Sequence, residues 1–337
     1  KGEFSVGGEY SHSRRKNLYA VLPTGVVDDE NNRIKENIAS IFMDYSKQFG
    51  KVGLQVGLRY ERVGFNYYER DVLVHAQSKS YADWFPSLTL SFPVHAVQMQ
   101  LSYSSDINRP TFQKLRSGVQ FDNRFTYESG NPFLLPAISR NLSYALSWKW
   151  ISLSAMLARV SNQTCYIMQP YKGDPTTTLL RPENMPTYNK VQASLSLSPS
   201  WGVWHPSLET MFYKQWFKMQ THQGGSINHP LVSFNLTNTF DTKWFTVSFI
   251  MRTRTEGNTE NMFLRKGSFG SDLSLYKSCL GGKLLLQLYA SDIFGTEDQH
   301  FVLYSGKLRT SYLSKFSSST IKLTLRYRFN TSKSKYQ

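Results

Sequence analysis

The chain has 337 residues, a formal net charge of +15 and a mean hydropathy of −0.41. No run approaches the roughly 18 consecutive apolar residues that a membrane-spanning helix needs. The Lys and Arg residues are scattered, with no basic helix or nucleic-acid motif, so no nucleic-acid partner is expected.

The first strand signal is Phe4, Val6, Gly8 and Tyr10, apolar or small at every second position. The pattern returns with Val52, Leu54, Val56, Leu58 and Tyr60, whose alternates are Gly53, Gln55, Gly57, Arg59 and Glu61. It recurs with Val97, Met99, Leu101 and Tyr103, with Leu142, Tyr144, Leu146 and Trp148, and with Val191, Ala193, Leu195 and Leu197. In the last, Ile321, Leu323, Leu325, Tyr327 and Phe329 face one way and Lys322, Thr324, Arg326 and Arg328 the other. Residues 1–337 thus read as one all-β, antiparallel domain of about 14 strands.

The connections alternate in length. Short turns are expected near Gly50, at Pro93–Ala96, Trp148–Trp150, Pro199–Pro206, Asp241–Lys243 and Gly281–Gly282. Longer polar loops are expected over 12–32, 66–80, 106–138, 166–187, 222–230, 255–261 and 293–312. Short turns at one end and long loops at the other are the layout of a transmembrane β-barrel. A soluble sandwich has no reason to collect its long loops at one end.

Charge placement agrees. Lys322, Arg326 and Arg328 would each cost about 2–4 kcal/mol on a lipid face near the midplane, but are hydrated on a lumen face. Arg59, Glu61, Arg252 and Arg254 are read as lumen-lining with them. Phe49, Phe92, Trp148, Trp150, Trp201, Trp204, Trp244 and Phe329 fall beside short turns, where an interfacial aromatic girdle belongs. The competing reading is ordinary core aromatics at strand ends.

Phe112, Phe121, Phe125, Tyr127 and Phe133 crowd the longest loop. They are candidates for an aromatic substrate-binding surface, against the plainer reading of a loop folded on its own apolar side chains. No hydrolase elbow, zinc motif or phosphate loop occurs, the seven histidines lack metal-ligand spacing, and Cys165 and Cys279 form no CxxC pair. His222 and His229 flank one outer loop and Asp292 lies near another, with nothing to fix an active-site geometry. No catalysis, metal or cofactor is expected.

Several stretches resemble one family, the β-barrel region of TonB-dependent outer-membrane receptors of the Bacteroidetes. They are "FGKVGLQVGLRYE" (Phe49 to Glu61), "DWFPSLTLSF" (Asp83 to Phe92), "LSYSSDINRPTFQKL" (Leu101 to Leu115), "GNPFLLPAIS" (Gly130 to Ser139) and "LRYRFNTSKSKY" (Leu325 to Tyr336). Ala137 departs from the pattern, which has a Glu after Leu-x-Pro. The resemblance implies a 22-stranded barrel with an N-terminal plug, of which this chain is the C-terminal portion. About eight strands, the plug and any export signal would then precede Lys1.

The resemblance also implies import of a scarce nutrient of the siderophore, cobalamin or glycan class. Its implied partners are outer-membrane lipid, the protein's own plug, the TonB complex and, as a candidate, a surface lipoprotein. A non-transporting barrel with a surface-binding or adhesive role is the alternative.

Overall fold

The computed structural model describes residues 2–20, 27–219, 227–265, 267–306, 308–315 and 318–329. His222 lies outside the described residues. Fourteen strands form one wall, each antiparallel to its neighbours in sequence: β1 Gly2–Tyr19, β2 Glu30–Phe49, β3 Val52–Glu69, β4 Lys79–Val94, β5 Val97–Asn108, β6 Ala137–Trp148 and β7 Ile151–Ser161, then β8 Tyr188–Leu197, β9 Trp204–Trp216, β10 Leu231–Asp241, β11 Thr246–Arg254, β12 Phe269–Cys279, β13 Leu284–Ser291 and β14 Thr320–Tyr327. The order in space is the order in sequence, an up-and-down meander. β1 and β14 do not pair with each other, so the wall is an open sheet rather than a closed barrel.

Register and pattern agree across the wall. Leu90, Leu101, Tyr144 and Ala155 are successive cross-strand partners and share one face; Thr89, Ser102, Ser143 and Met156 share the other. A one-residue slip would exchange the faces, so the alternation fixes the register. The apolar face is bare: Leu101 is 42% exposed, Leu142 47% and Leu323 65%. An apolar surface running over fourteen strands is lipid-facing, because water would not tolerate a patch of that extent.

Short turns close one end. Gly50 has φ +61° and opens the two-residue turn between the paired Phe49 and Val52, a left-handed position that glycine adopts without strain. Trp148, Trp150, Trp201, Trp204, Trp244 and Phe329 all lie at this end, and Trp201 and Trp204 meet at 5.0 Å between ring centroids. The turn after β8 is shorter than the sequence suggests, since β9 begins at Trp204 and carries Pro206 within it.

At the other end the strands outrun the bilayer. The 20 residues of β2 rise about 66 Å along the strand, and a tilt near 45° still leaves them far taller than an apolar band of about 25 Å. Parts of the expected loops 12–32 and 66–80 are therefore wall: β1 runs to Tyr19, β2 starts at Glu30 and β3 ends at Glu69. The remaining long connections are folded too. Residues Thr164–Tyr171, Asp174–Asn184, Thr126–Ser129 and Val119–Asn123 make one four-stranded sheet. Gly257–Thr259, Met262–Leu264, Gln299–Ser305 and Leu308–Ser314 make a second. Alternation of an oily with a polar face does not reveal these strands, because neither of their faces meets lipid.

Candidate functional site

Toward the short turns the inward face has a neutral centre between two charged flanks. Toward the long loops charge crosses the centre too, with Lys79 and Asp83 on β4, Asp106 on β5 and Lys190 on β8. From β4 to β8 the short-turn half is hydroxyl- and amide-rich: Thr89, Ser91, Gln98, Gln100, Ser102, Ser147, Ser152, Ser154, Ser194 and Ser196 share it by register. Side chains bond across strands there, as Ser154 Oγ does to Ser194 Oγ at 2.7 Å. This short-turn half offers donors and acceptors to water or a hydroxylated solute and holds no fixed charge.

On the β1–β5 flank the centre is Glu61, 3% exposed. Its carboxylate meets Arg59 at 3.1 Å and is also paired with Arg109, while Arg59 reaches Glu9 at 3.0 Å. Phe85, directly opposite Arg59 and buried, lies on the same face. On the β9–β13 flank Arg252 makes a two-pronged bond to Asp272, at 2.7 and 3.2 Å, and reaches Glu297 at 3.4 Å. Tyr289 donates to Asp272 at 3.0 Å, and Arg254 Nε donates to Ser268 Oγ at 3.1 Å. A cleft of about 560 Å³ runs from Ser194 and Ser196 to this cluster, bordered by Glu209, Asn235, Arg252, Arg254 and Glu297. A second, of about 430 Å³, lies wholly in the neutral centre.

Arg59, Glu61, Arg252 and Arg254 share the inward face, and Lys322 and Arg326 follow it on β14. Arg328 lies past the end of β14, where its backbone N–H bonds to Lys283 O. The partners Arg109, Asp272 and Glu297 carry no sequence signal of their own, because they come from distant segments brought together by register and loop closure.

The five loop aromatics do not form one surface. Phe121 and Tyr127 meet edge-on at 5.5 Å, and Tyr127 stacks on Tyr171 at 4.5 Å. Phe112 packs against a core of Ile34, Phe65, Tyr67, Leu115 and Leu134. Phe125 and Phe133 are exposed at 56% and 53%, with Phe125 under the Arg124 guanidinium.

Amide side chains tie the loops together. Gln215, fully buried, gives Nε2–H bonds to Ile227 O and Glu260 O and accepts from Tyr213 OH and Glu260 N–H. Asn261 Nδ2 donates to Tyr166 O and Tyr304 O, locking the two loop sheets to each other. Asp292 has both carboxylate oxygens engaged, by Thr296 N–H, Glu297 N–H and Ser318 Oγ, so it shapes its own loop. His229 stacks edge-on against Phe263. Among the described residues no three His, Cys, Asp or Glu side chains come together as metal ligands.

Burial raises the pKa of Glu260, whose carboxylate faces the Cys165 thiol at 3.7 Å inside this junction. A carboxylate with a raised folded pKa stabilises while protonated, and that contribution fades as pH rises through the folded pKa. The loop junction is expected to resist proteolysis best in mild acid. Glu260→Gln should remove that dependence and increase protection mainly at neutral to alkaline pH. Equal protection of both proteins at every pH would contradict this.

Comparison with known proteins gives a family and a fold. A model of the outer membrane protein beta-barrel family matches residues 1–327. No curated protein sequence matches. Solved structures that share the fold include the copper transporter OprC, with 11% identity, 96% of this chain and 54% of that one covered and a TM-score of 0.63. The FrpB iron transporter of Neisseria meningitidis gives 13%, 97%, 52% and 0.63, and the Serratia marcescens hemophore receptor HasR gives 13%, 97%, 58% and 0.55. The chain spans just over half the length of each.

Proposed function

We propose a function from one premise: the chain belongs to the outer membrane protein beta-barrel family. It resides in the outer membrane, and on our reading it is part of the barrel of a TonB-dependent receptor that imports a scarce nutrient of the siderophore, cobalamin or glycan class. The observation that carries the reading is the continuous polar inward face, neutral at its centre toward the short turns and ion-paired at both flanks, behind a lipid-facing exterior. A passage needs such a neutral stretch, because a dense charged wall would hold a passing solute rather than release it. The flanking pairs, Arg59–Glu61 and Arg252–Asp272, suit the anchoring of a plug. Transporters of copper and of iron share the fold, which supports import.

Cells whose full-length protein is intact should take up the nutrient only while the inner membrane is energised. Uptake assayed with radiolabelled ferric siderophores, cobalamin and oligosaccharides should fall to the level of a deletion strain when the proton gradient is collapsed. Uptake that survives uncoupling would mean a passive barrel, and no uptake of any class would favour a surface-binding role.

A further inference from the structure

Charge on the outward face is one-signed. By register, every Asp and Glu within β1–β14 lies on the inward face, and none on the lipid-facing one. The outward face carries cations toward the long-loop end, among them Arg14, Lys35, Arg62, Arg140, Arg159 and Lys214. Arg140 and Arg159 are direct cross-strand partners. Both are exposed, and among the described residues neither has a hydrogen-bonding or ion-pair partner. Two like charges set opposite each other destabilise a sheet unless an anion joins them.

Height says what that anion is. Arg159 lies eight residues from Ile151, where β7 leaves its short turn, so it is about 26 Å along the strand and roughly 19 Å above the turn at a 45° tilt. Long arginine side chains at this level reach up to the head groups while their stems stay in the apolar layer. A guanidinium pair is matched in geometry to phosphate, which it grips with paired N–H bonds.

We propose that the outward face around Arg140 and Arg159 is a binding site for a phosphate-bearing glycolipid of the outer leaflet, clamped between the two guanidinium groups. The neighbouring Leu142 and Leu157, themselves direct partners and exposed, supply the apolar floor for its acyl chains. The wall would thereby carry a lipid annulus of its own choosing rather than a generic one.

The test uses the full-length protein purified in a zwitterionic detergent. Native mass spectrometry would count glycolipids retained when it is offered a phosphorylated lipid A, the same lipid dephosphorylated, or inorganic phosphate as competitor. Wild type should retain the phosphorylated lipid about tenfold better than the dephosphorylated one, and R140Q/R159Q should lose that preference. The single variants Arg140→Gln and Arg159→Gln relieve the like-charge pair and keep the fold, giving the same readout at smaller amplitude. Heat-modifiable gel migration checks folding in each. Equal retention of both lipids, or preference undiminished in the variants, would overturn the site. Displacement by inorganic phosphate at the lipid's own concentration would overturn the lipid as its ligand and leave a free-anion site.

Discussion

Replacing Leu101 by Arg is expected to cost about 2–4 kcal/mol of folding stability, whereas the same arginine one residue later, at Ser102, should cost less than about 1 kcal/mol. Leu101 sits between Leu90 and Tyr144 on the exposed apolar face, four residues above the start of β5 and so near mid-bilayer. There the guanidinium would lie in hydrocarbon with no carboxylate on that face to meet it. Ser102 points to the opposite face, among Thr89 and Ser143, where water or the polar wall solvates a charge. Urea unfolding of the full-length protein in lipid vesicles measures both. Equal losses at the two positions would refute the assignment of faces, and with it the membrane reading of the wall. Because the pair differs by one residue, strand propensity and local packing are nearly shared, and depth and solvent are what remain.

The wall was legible because one physical rule operates along all of it. Lipid outside and a polar interior force a period-two pattern, so Val52 to Tyr60 or Ile321 to Phe329 announce both strand and face. The number of wall strands, about 14 from the pattern, is the number along the path of the sheet, whose one further strand is the two-residue Val72–Leu73 paired with the end of β3. Long-loop structure was not legible for the converse reason. In Thr164–Tyr171 the buried Cys165 and Met168 fall three apart, not two, since the hairpin is covered by another loop and not by a bilayer. The polar clusters were half visible. Arg59 and Glu61 sit two apart and share a face by parity, but Arg109 reaches Glu61 only through the chain reversal after β5. Of the aromatic group, Phe121 and Tyr127 come together because they pair across a hairpin, while Phe112 is taken by the core at the base of the loop. Nothing in spacing alone separates those fates.

Gly130→Ala should open the loop between β5 and β6 while leaving the wall intact. A Cβ on Gly130 would stand 2.5 Å from Arg116 O, 2.7 Å from Arg116 Cγ and 2.8 Å from Arg116 N. Two of those atoms are backbone and have no rotamer to move to, so the overpacking costs upward of about 1–3 kcal/mol. The next residue carries the closure itself. Asn131 N–H bonds to Lys114 O at 2.6 Å, and its side chain donates to Pro182 O and Glu183 Oε2 and accepts from Phe133 N–H, each at 3.0 Å. Asn131→Ala removes these three side-chain bonds, of which the one to Pro182 O is buried, at a cost of about 3 kcal/mol. Hydrogen exchange and limited proteolysis should therefore show residues 109–136 opening in either variant, with heat-modifiable migration unchanged, because the wall strands keep their own ladders. Full loop protection in Gly130→Ala would show that the Arg116 backbone yields and that the clasp is not closed there. The Gly-Asn-Pro stretch is then a device of loop closure: glycine admits the Arg116 backbone, asparagine spans two loops, and proline fixes the turn that leads to Leu134 in the core. Substitution of the exposed Phe133 beyond it should leave that closure untouched, so a change in ligand uptake from Phe133→Ala would report contact with the ligand and not loss of the loop.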